Sequence, residues 1–149
     1  MSSVLILTQG KDDLREASVR ILLVDDFEPF LRFTALTLRK EPGFRIVGEA
    51  RDGQEAVQKA KELKPDLVVL DIDLPKLNGI EAARQIRSVS PDSKILFLTG
   101  DNDLQIAQVA LDTGARGYVV KLDAAAELLP AVKAVLLGKR YVSKTAGRR

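Results

Sequence analysis

Short apolar runs alternate with amphipathic segments along most of the chain. Runs at residues 19–24, 44–49, 67–70, 94–99 and 117–121 predict five β-strands. After each run, apolar side chains recur at three- and four-residue spacing, which predicts five helices. Five strands that alternate with five helices at intervals of roughly 20–25 residues are typical of right-handed βαβ units. We therefore predict an α/β fold with an open parallel sheet covered by helices on both faces.

Residues that begin and end helices support this interpretation. Pro29 suits a first helical turn, Asp52 with Glu55 forms a capping box, and Asn78 with Glu81 can cap the third helix. Gly114 is expected to end the fourth helix in a left-handed conformation. The inner faces of the first and fourth helices are predicted to contain Phe27, Leu31, Ala35 and Leu38, and Leu104, Ala107 and Leu111, respectively.

The regular pattern covers residues 19–138, which we interpret as one domain within the 149-residue chain. Residues 1–18 fit it poorly and are predicted to be an N-terminal extension. Residues 139–149 contain five basic and no acidic side chains, which predicts a solvated basic linker or tail. The chain before them has 18 basic and 21 acidic side chains, so the domain itself shows no basic surface for nucleic acid.

The chain contains no cysteine and no histidine. Disulfides, the usual zinc and iron–sulfur sites, cysteine nucleophiles and histidine-based triads are therefore excluded. Chemistry at neutral pH must use carboxylates, lysines, hydroxyls or an oxygen-liganded metal. No apolar run approaches the roughly 20 residues that span a membrane, and no signal peptide is recognisable. We expect a cytoplasmic protein without a membrane partner.

Polar side chains follow four of the five predicted strands. Asp25 and Asp26 follow the first strand, Asp71 the third, Thr99 ends the fourth and Lys121 ends the fifth. Each is an ordinary residue at the end of a strand, but parallel strands bring all five to one edge of the sheet. The most central of these positions is Asp71, because the uninterrupted apolar run Leu67–Leu70 before it predicts a strand buried on both faces.

Three carboxylates at this edge would repel one another by roughly 4 kcal/mol per pair at 4 Å and an effective dielectric of 20. A divalent cation such as Mg²⁺ would relieve that repulsion and keep room for phosphoryl oxygens. Lys121 and Thr99 would add a positive charge and a hydroxyl group. The arrangement suits phosphoryl transfer, with an aspartate as the acceptor because histidine and cysteine are absent.

These residues resemble the motif set of the receiver domains of bacterial two-component response regulators. The match includes Asp25-Asp26, Asp71 followed by Leu74-Pro75 and Gly79, Thr99-Gly100, Tyr118 and Lys121, and it covers about residues 19–138. The resemblance implies a flavodoxin-like (βα)5 three-layer sandwich with a five-stranded parallel sheet of order 2-1-3-4-5.

The resemblance also implies roles for individual residues. Asp71 is similar to the aspartate that a sensor histidine kinase phosphorylates, and Lys121 to the lysine that pairs with the phosphoryl oxygens. Asp25 and Asp26 resemble the acidic pair that binds Mg²⁺ together with Asp71. The backbone carbonyl of Asp73 would be a further ligand, with its side chain in solvent.

Two further positions resemble the residues that report phosphorylation. Thr99 is similar to the hydroxyl that turns toward the phosphoryl group, and Tyr118 to the aromatic that swings inward behind it. The resemblance implies a small population shift at the face formed by the fourth helix, fifth strand and fifth helix. The protein would catalyse its own phosphorylation and dephosphorylation without being an enzyme for other substrates.

The C-terminal part of the chain resembles one subgroup of the family. The segments 117–123 and 138–143 are similar to members that carry a C-terminal helix-turn-helix domain, which this chain does not contain. DNA binding and transcription regulation would require that effector domain, and phosphorylation would control it or promote homodimerisation. The sequence departs from many receivers at Leu122, where they have proline.

Two other functions are compatible with parts of the pattern. The segment Leu70–Leu74 also resembles the nucleophile motif of haloacid-dehalogenase-type phosphatases, and 99–103 resembles their later acidic motif. Those enzymes usually begin with the nucleophile strand, whereas here two strands precede it. The other alternative is a receiver that binds partners without being phosphorylated, although every motif position is filled. Tyr118 alone is also compatible with a packed aromatic of an edge strand.

Overall fold

Strands and helices alternate along the computed structural model, which describes residues 18–147. The predicted extension therefore lies outside the described residues, apart from Ser18. The strands are β1 (Val19–Val24), β2 (Phe44–Ala50), β3 (Leu67–Leu70), β4 (Lys94–Thr99), β5 (Gly117–Val120) and β6 (Tyr141–Val142). The helices are α1 (Glu28–Leu38), α2 (Gly53–Leu63), α3 (Gly79–Val89), α4 (Leu104–Leu111) and α5 (Ala124–Leu136), with a 3₁₀ turn at Lys121–Asp123 before α5.

All neighbouring strands are parallel, and their order is β2-β1-β3-β4-β5-β6. Alternate strand residues face opposite sides of the sheet. Leu22 and Val24 pack with α2, α3 and α4, whereas Ile21 and Leu23 pack with α1 and α5. The predicted three-layer α/β sandwich and the order 2-1-3-4-5 are confirmed. This topology places the carboxyl ends of β1 and β3 side by side.

The predicted helix starts are confirmed by their hydrogen bonds. Asp52 Oδ1 accepts the Glu55 N–H at 2.7 Å, and Asn78 Oδ1 accepts the Glu81 N–H at 3.0 Å. Each bond satisfies one of the amide groups that a helix N-terminus leaves without a partner. Gly114 has φ = 100°, as expected for a left-handed residue after α4.

Two residues predicted on inner helix faces are exposed instead. Phe27 is 57% exposed and Leu104 is 51% exposed, whereas Leu31, Ala35 and Ala107 are buried as predicted. Phe27 is the N-cap of α1, with extended backbone dihedrals, and Leu104 is the first residue of α4. Helix ends do not follow the 3.6-residue periodicity of the helix interior. The periodicity therefore predicted the burial of Phe27 and Leu104 wrongly.

Within residues 18–147, none of the helices combines the length and apolar character that crossing a bilayer requires.

The segment Lys139–Gly147 packs along the edge of β5. Tyr141 and Val142 pair in parallel with Gly117 and Tyr118 as the sixth strand. The Ser143 N–H donates to the Tyr118 carbonyl at 2.8 Å. The five basic and no acidic side chains of residues 139–149 predict a solvated basic linker or tail. The described part of it is instead held by hydrogen bonds to β5.

Ser143 is a buried residue whose hydroxyl oxygen accepts the Val120 N–H at 2.8 Å. We expect Ser143→Ala to lower the free energy of unfolding by about 1–3 kcal/mol, because the Val120 amide would lose its acceptor in a buried position. Urea denaturation would measure the change. Ser88→Ala is the matched control, since Ser88 is exposed on α3. Equal stability of the two variants would contradict this account of the segment.

Candidate functional site

Three carboxylates meet at the carboxyl ends of β1 and β3. Val24 and Leu70 are paired in register, so Asp25 and Asp71 follow neighbouring positions, and the Asp71 N–H donates to the Val24 carbonyl at 3.0 Å. Carboxylate oxygens of Asp25, Asp26 and Asp71 all lie within 4.8 Å of one another. Asp25 and Asp71 are each 5% exposed, whereas Asp26 faces solvent. The structure therefore brings together the three acids that the sequence pattern singled out.

Lys121 reaches across the end of β4 to this cluster. Its Nζ lies 2.7 Å from Asp25 Oδ2 and 3.0 Å from Asp71 Oδ2. The same ammonium group sits over the ring of Phe30, 4.7 Å from the centroid, which is cation–π distance. Lys121 is the first residue after β5 and begins the 3₁₀ turn, so its backbone is fixed by that strand. One cation thus bridges two buried carboxylates.

Burial and neighbouring charges shift the pKa values of this cluster. Burial raises the pKa of Asp25, and the negative charge of Asp71 adds to the rise. Hydrogen bonds from Lys121 and from the Phe27 N–H act in the opposite direction. Burial by itself would lower the pKa of Lys121, but Asp25 and Asp71 outweigh it, so this pKa is raised. Lys121 is therefore protonated at neutral pH and partly neutralises the acids.

The loop after β3 holds the Asp71 carboxylate in place. The Ile72 N–H donates to Asp71 Oδ1 at 2.7 Å, and the Gly79 N–H donates to the Ile72 carbonyl at 2.8 Å. A Cβ atom on Gly79 would lie only 1.9 Å from the Asp71 carbonyl oxygen. The loop can close tightly on Asp71 because residue 79 has no side chain.

Asp73 differs from the three clustered acids. Its side chain is exposed, and it is not part of the group of carboxylates within 4.8 Å. This agrees with the expectation that its side chain lies in solvent. The ligand role of its backbone carbonyl stays a prediction.

Thr99 and Tyr118 are fully buried and meet at Asp101. The Asp101 N–H donates to Thr99 Oγ1 at 3.4 Å, and the Tyr118 hydroxyl donates to the Asp101 carbonyl at 2.7 Å. Burial, reinforced by the charges of Asp101 and Asp103, raises the pKa of Tyr118, so the phenol remains a hydrogen-bond donor. Tyr118 also packs against Phe97, with ring centroids 6.4 Å apart. Thr99 at the end of β4 and Tyr118 on β5 therefore both bond to the turn at Asp101.

Several parts of the site were missed by sequence reasoning. Phe30, in the first turn of α1, was not singled out, because nothing in its residue type distinguishes a ring under a cation from a ring in a core. The backbone donors Phe27 N–H, 3.0 Å from Asp25 Oδ1, and Ile72 N–H had no signal in residue type. Backbone donors are set by loop conformation, which a residue pattern does not specify.

The donor set fits a hard divalent cation. Three carboxylate oxygens converge without any nitrogen or sulfur ligand from histidine or cysteine, and one of the acids is open to solvent. Hard cations prefer such oxygen ligands and retain water molecules. The acidic cluster could therefore hold a metal ion.

Comparison with known families identifies the class of protein. Residues 21–133 match the family model of the response regulator receiver domain. That match covers most of the chain, and the chain therefore belongs to the receiver domain family of two-component response regulators.

Individual relatives are transcription regulators. The chain is 35% identical over 131 residues to the transcriptional regulatory protein DegU of Brevibacillus brevis, covering 88% of this chain and 56% of the relative. It is 37% identical over 131 residues to the transcriptional regulatory protein LiaR of Bacillus subtilis, covering 87% and 62%, respectively. The match thus covers only about three fifths of the length of these relatives.

A solved structure shows the same similarity in three dimensions. The two-component response regulator of the LuxR family from Aurantimonas sp. SI85-9A1 matches with a TM-score of 0.81 and 38% identity, covering 85% of this chain and 91% of that one. The alternative of a haloacid-dehalogenase-type phosphatase receives no support from these comparisons.

Proposed function

We propose that this chain is a phosphorylation-dependent switch that accepts a phosphoryl group on Asp71 from a sensor histidine kinase. The observation that carries the proposal is the cluster of Asp25, Asp26 and Asp71 within 4.8 Å, with Lys121 Nζ bonded to two of the three acids. In the reaction, a carboxylate oxygen of Asp71 attacks phosphorus. The bond from phosphorus to the kinase histidine nitrogen breaks as the new P–O bond forms.

Different residues around Asp71 would bind the cation, neutralise the added negative charge and orient the carboxylate. Asp25, Asp26, Asp71 and the carbonyl of Asp73 would hold Mg²⁺, which supplies positive charge against the transferring phosphoryl group. Lys121 is already bonded to Asp71, so it lies next to the added negative charge. The Ile72 N–H fixes the other carboxylate oxygen and orients Asp71 for attack. The same site would support loss of the phosphoryl group to water, without turnover of other substrates.

The switch would pass through Thr99 and Tyr118. A Thr99 hydroxyl that turns toward the phosphoryl group gives up its hydrogen bond with the Asp101 N–H, and Tyr118 is bonded to the carbonyl of the same residue. The turn after β4 is therefore the element whose two arrangements phosphorylation would bias. The affected surface is the α4–β5–α5 face.

We infer the output of the switch from the relatives that the chain resembles. We propose a cytoplasmic regulator of transcription that dimerises on phosphorylation or controls an effector domain. DNA would be contacted only through an effector outside this chain. The match of the chain to part of two longer transcription regulators supports this assignment.

Direct phosphorylation tests the function. Incubation with acetyl phosphate and Mg²⁺ should add one phosphoryl group, a gain of about 80 Da in intact mass, and EDTA should prevent it. A protein that gains no mass with either acetyl phosphate or a phosphorylated kinase would instead be a receiver that acts without phosphorylation. Rapid release of phosphate from small phosphate esters would favour the phosphatase alternative.

Metal binding gives a separate prediction. We expect Asp26→Ala to weaken Mg²⁺ binding on the order of tenfold, because fewer carboxylates reduce both the charge and the ligand number of the site. Titration calorimetry would measure the affinity. Asp92→Ala is the control, because Asp92 is exposed before β4, at the opposite edge of the sheet. Unchanged affinity in Asp26→Ala would remove this residue from the metal site.

A further inference from the structure

Three arginines line one cavity at the amino ends of the strands, whereas Asp71 lies at their carboxyl ends. Arg87 lies near the end of α3, Arg116 immediately precedes β5, and Arg140 immediately precedes β6. They line a solvent-accessible cavity of about 260 Å³ together with Leu111, Gly114 and Ala115. Three arginines from three separate segments therefore line one concave site.

These three arginines are exposed and form no ion pair within residues 18–147. No side-chain hydrogen bond or ion pair of Arg87, Arg116 or Arg140 occurs in that part of the chain, whereas Arg51 and Arg84 pair with glutamates. Like charges around one cavity repel one another, and an anion between them would reverse that effect.

The Arg87 guanidinium packs against Gly114. Gly114 has φ = 100°, and a Cβ atom on it would lie 1.7 Å from Arg87 Nη1. The Arg87 guanidinium thus rests directly against the backbone of the turn after α4. This packing limits its freedom and reduces the entropy lost when it binds a ligand.

Arg140 reaches the cavity only because the C-terminal segment is docked. The Tyr141 N–H donates to the Arg116 carbonyl at 2.9 Å, which sets Arg140 beside Arg116. Residues 139–147 would carry Arg140 away if they left the edge of β5. The cavity is therefore complete only in the docked arrangement.

We propose that this cavity binds a small oxyanion of the phosphate class with at least two negative charges, and that the bound anion holds residues 139–147 against β5. Guanidinium groups match phosphate oxygens with paired hydrogen bonds. A small ligand fits better than nucleic acid, because the site is concave and residues 1–138 carry more acidic than basic side chains. The proposal does not depend on phosphorylation of Asp71.

Titration of the full chain with pyrophosphate, in EDTA and at constant ionic strength, tests the site. Arg87→Gln, Arg116→Gln and Arg140→Gln should each weaken binding by about tenfold, as expected for loss of one charged hydrogen-bonding group. Arg45→Gln, which removes an exposed charge from β2 at the other side of the sheet, should not. Absence of pyrophosphate binding, or equal binding by all four variants, would overturn the proposal.

Hydrogen exchange tests the coupling to the C-terminal segment. The Ser143 amide donates to the Tyr118 carbonyl, so its exchange reports whether the segment is docked. Pyrophosphate should slow this exchange in the wild-type chain but not in Arg140→Gln. Unchanged exchange at saturating pyrophosphate would overturn the coupling. Binding of an oligonucleotide that needs Arg87, without pyrophosphate binding, would assign the site to nucleic acid instead and overturn the choice of ligand.

Discussion

Replacing Asp71 with asparagine should abolish the mass gain that acetyl phosphate and Mg²⁺ produce in the wild-type chain. Asparagine keeps the shape of the side chain and an oxygen that can accept the Ile72 N–H. It lacks the carboxylate that attacks phosphorus, so no acyl phosphate can form. The fold should persist, since the change also removes one of two buried acids that repel each other at the end of β1 and β3.

The matched control for this variant is Asp73→Asn. Asp73 stands two residues away on the same loop, its side chain is exposed, and its backbone carbonyl is unaffected by the change. We expect this variant to gain about 80 Da, as the wild-type chain does. Intact-mass spectrometry of the three proteins, with circular dichroism to verify folding, decides the matter. Labelling of Asp71→Asn at the wild-type level would show that another residue is the acceptor.

Gly79→Ala should lower the free energy of unfolding by more than about 3 kcal/mol or prevent folding altogether, a larger effect than most single substitutions have. The added Cβ would lie 1.9 Å from the Asp71 carbonyl oxygen and 2.7 Å from the Ile72 Cα. Both neighbours are backbone atoms, which cannot rotate away as a side chain can. The clash could be relieved only by moving α3 away from the loop that positions Asp71.

Gly43→Ala controls for the loss of glycine itself. No atom lies within 4 Å of a Cβ at residue 43, so this variant should be close to the wild type in stability. Urea denaturation compares the two, and circular dichroism shows whether Gly79→Ala folds in the absence of denaturant. A Gly79→Ala protein as stable as Gly43→Ala would mean that the loop is not packed as described.

Much of the fold could be predicted because its signals are local. The four buried residues of β3 form an uninterrupted apolar run, and the N-caps Asp52 and Asn78 bond to amides three residues away. Such interactions act within a few residues along the chain, so residue type and spacing describe them. The inner faces failed only at Phe27 and Leu104, where the helical repeat has not yet begun.

The acidic cluster could be predicted for a different reason. Asp25 and Asp71 lie 46 positions apart, but parallel strands bring their carboxyl ends to one edge of the sheet, and a family resemblance gave their order. Phe30 beneath Lys121 was missed because a ring that contacts a cation does not differ in sequence from a ring in a core.

The sequence by itself determined strands β1 to β5, the five helices and, with the family resemblance, the edge at which Asp25, Asp26, Asp71 and Lys121 gather. Only the tertiary structure decided how residues 139–147 lie, which partner the Tyr118 hydroxyl takes and where three arginines converge. Those features depend on hydrogen bonds and charges between segments that are distant along the chain. Such contacts leave no periodic pattern in the residues that make them, because their geometry exists only after the sheet has formed.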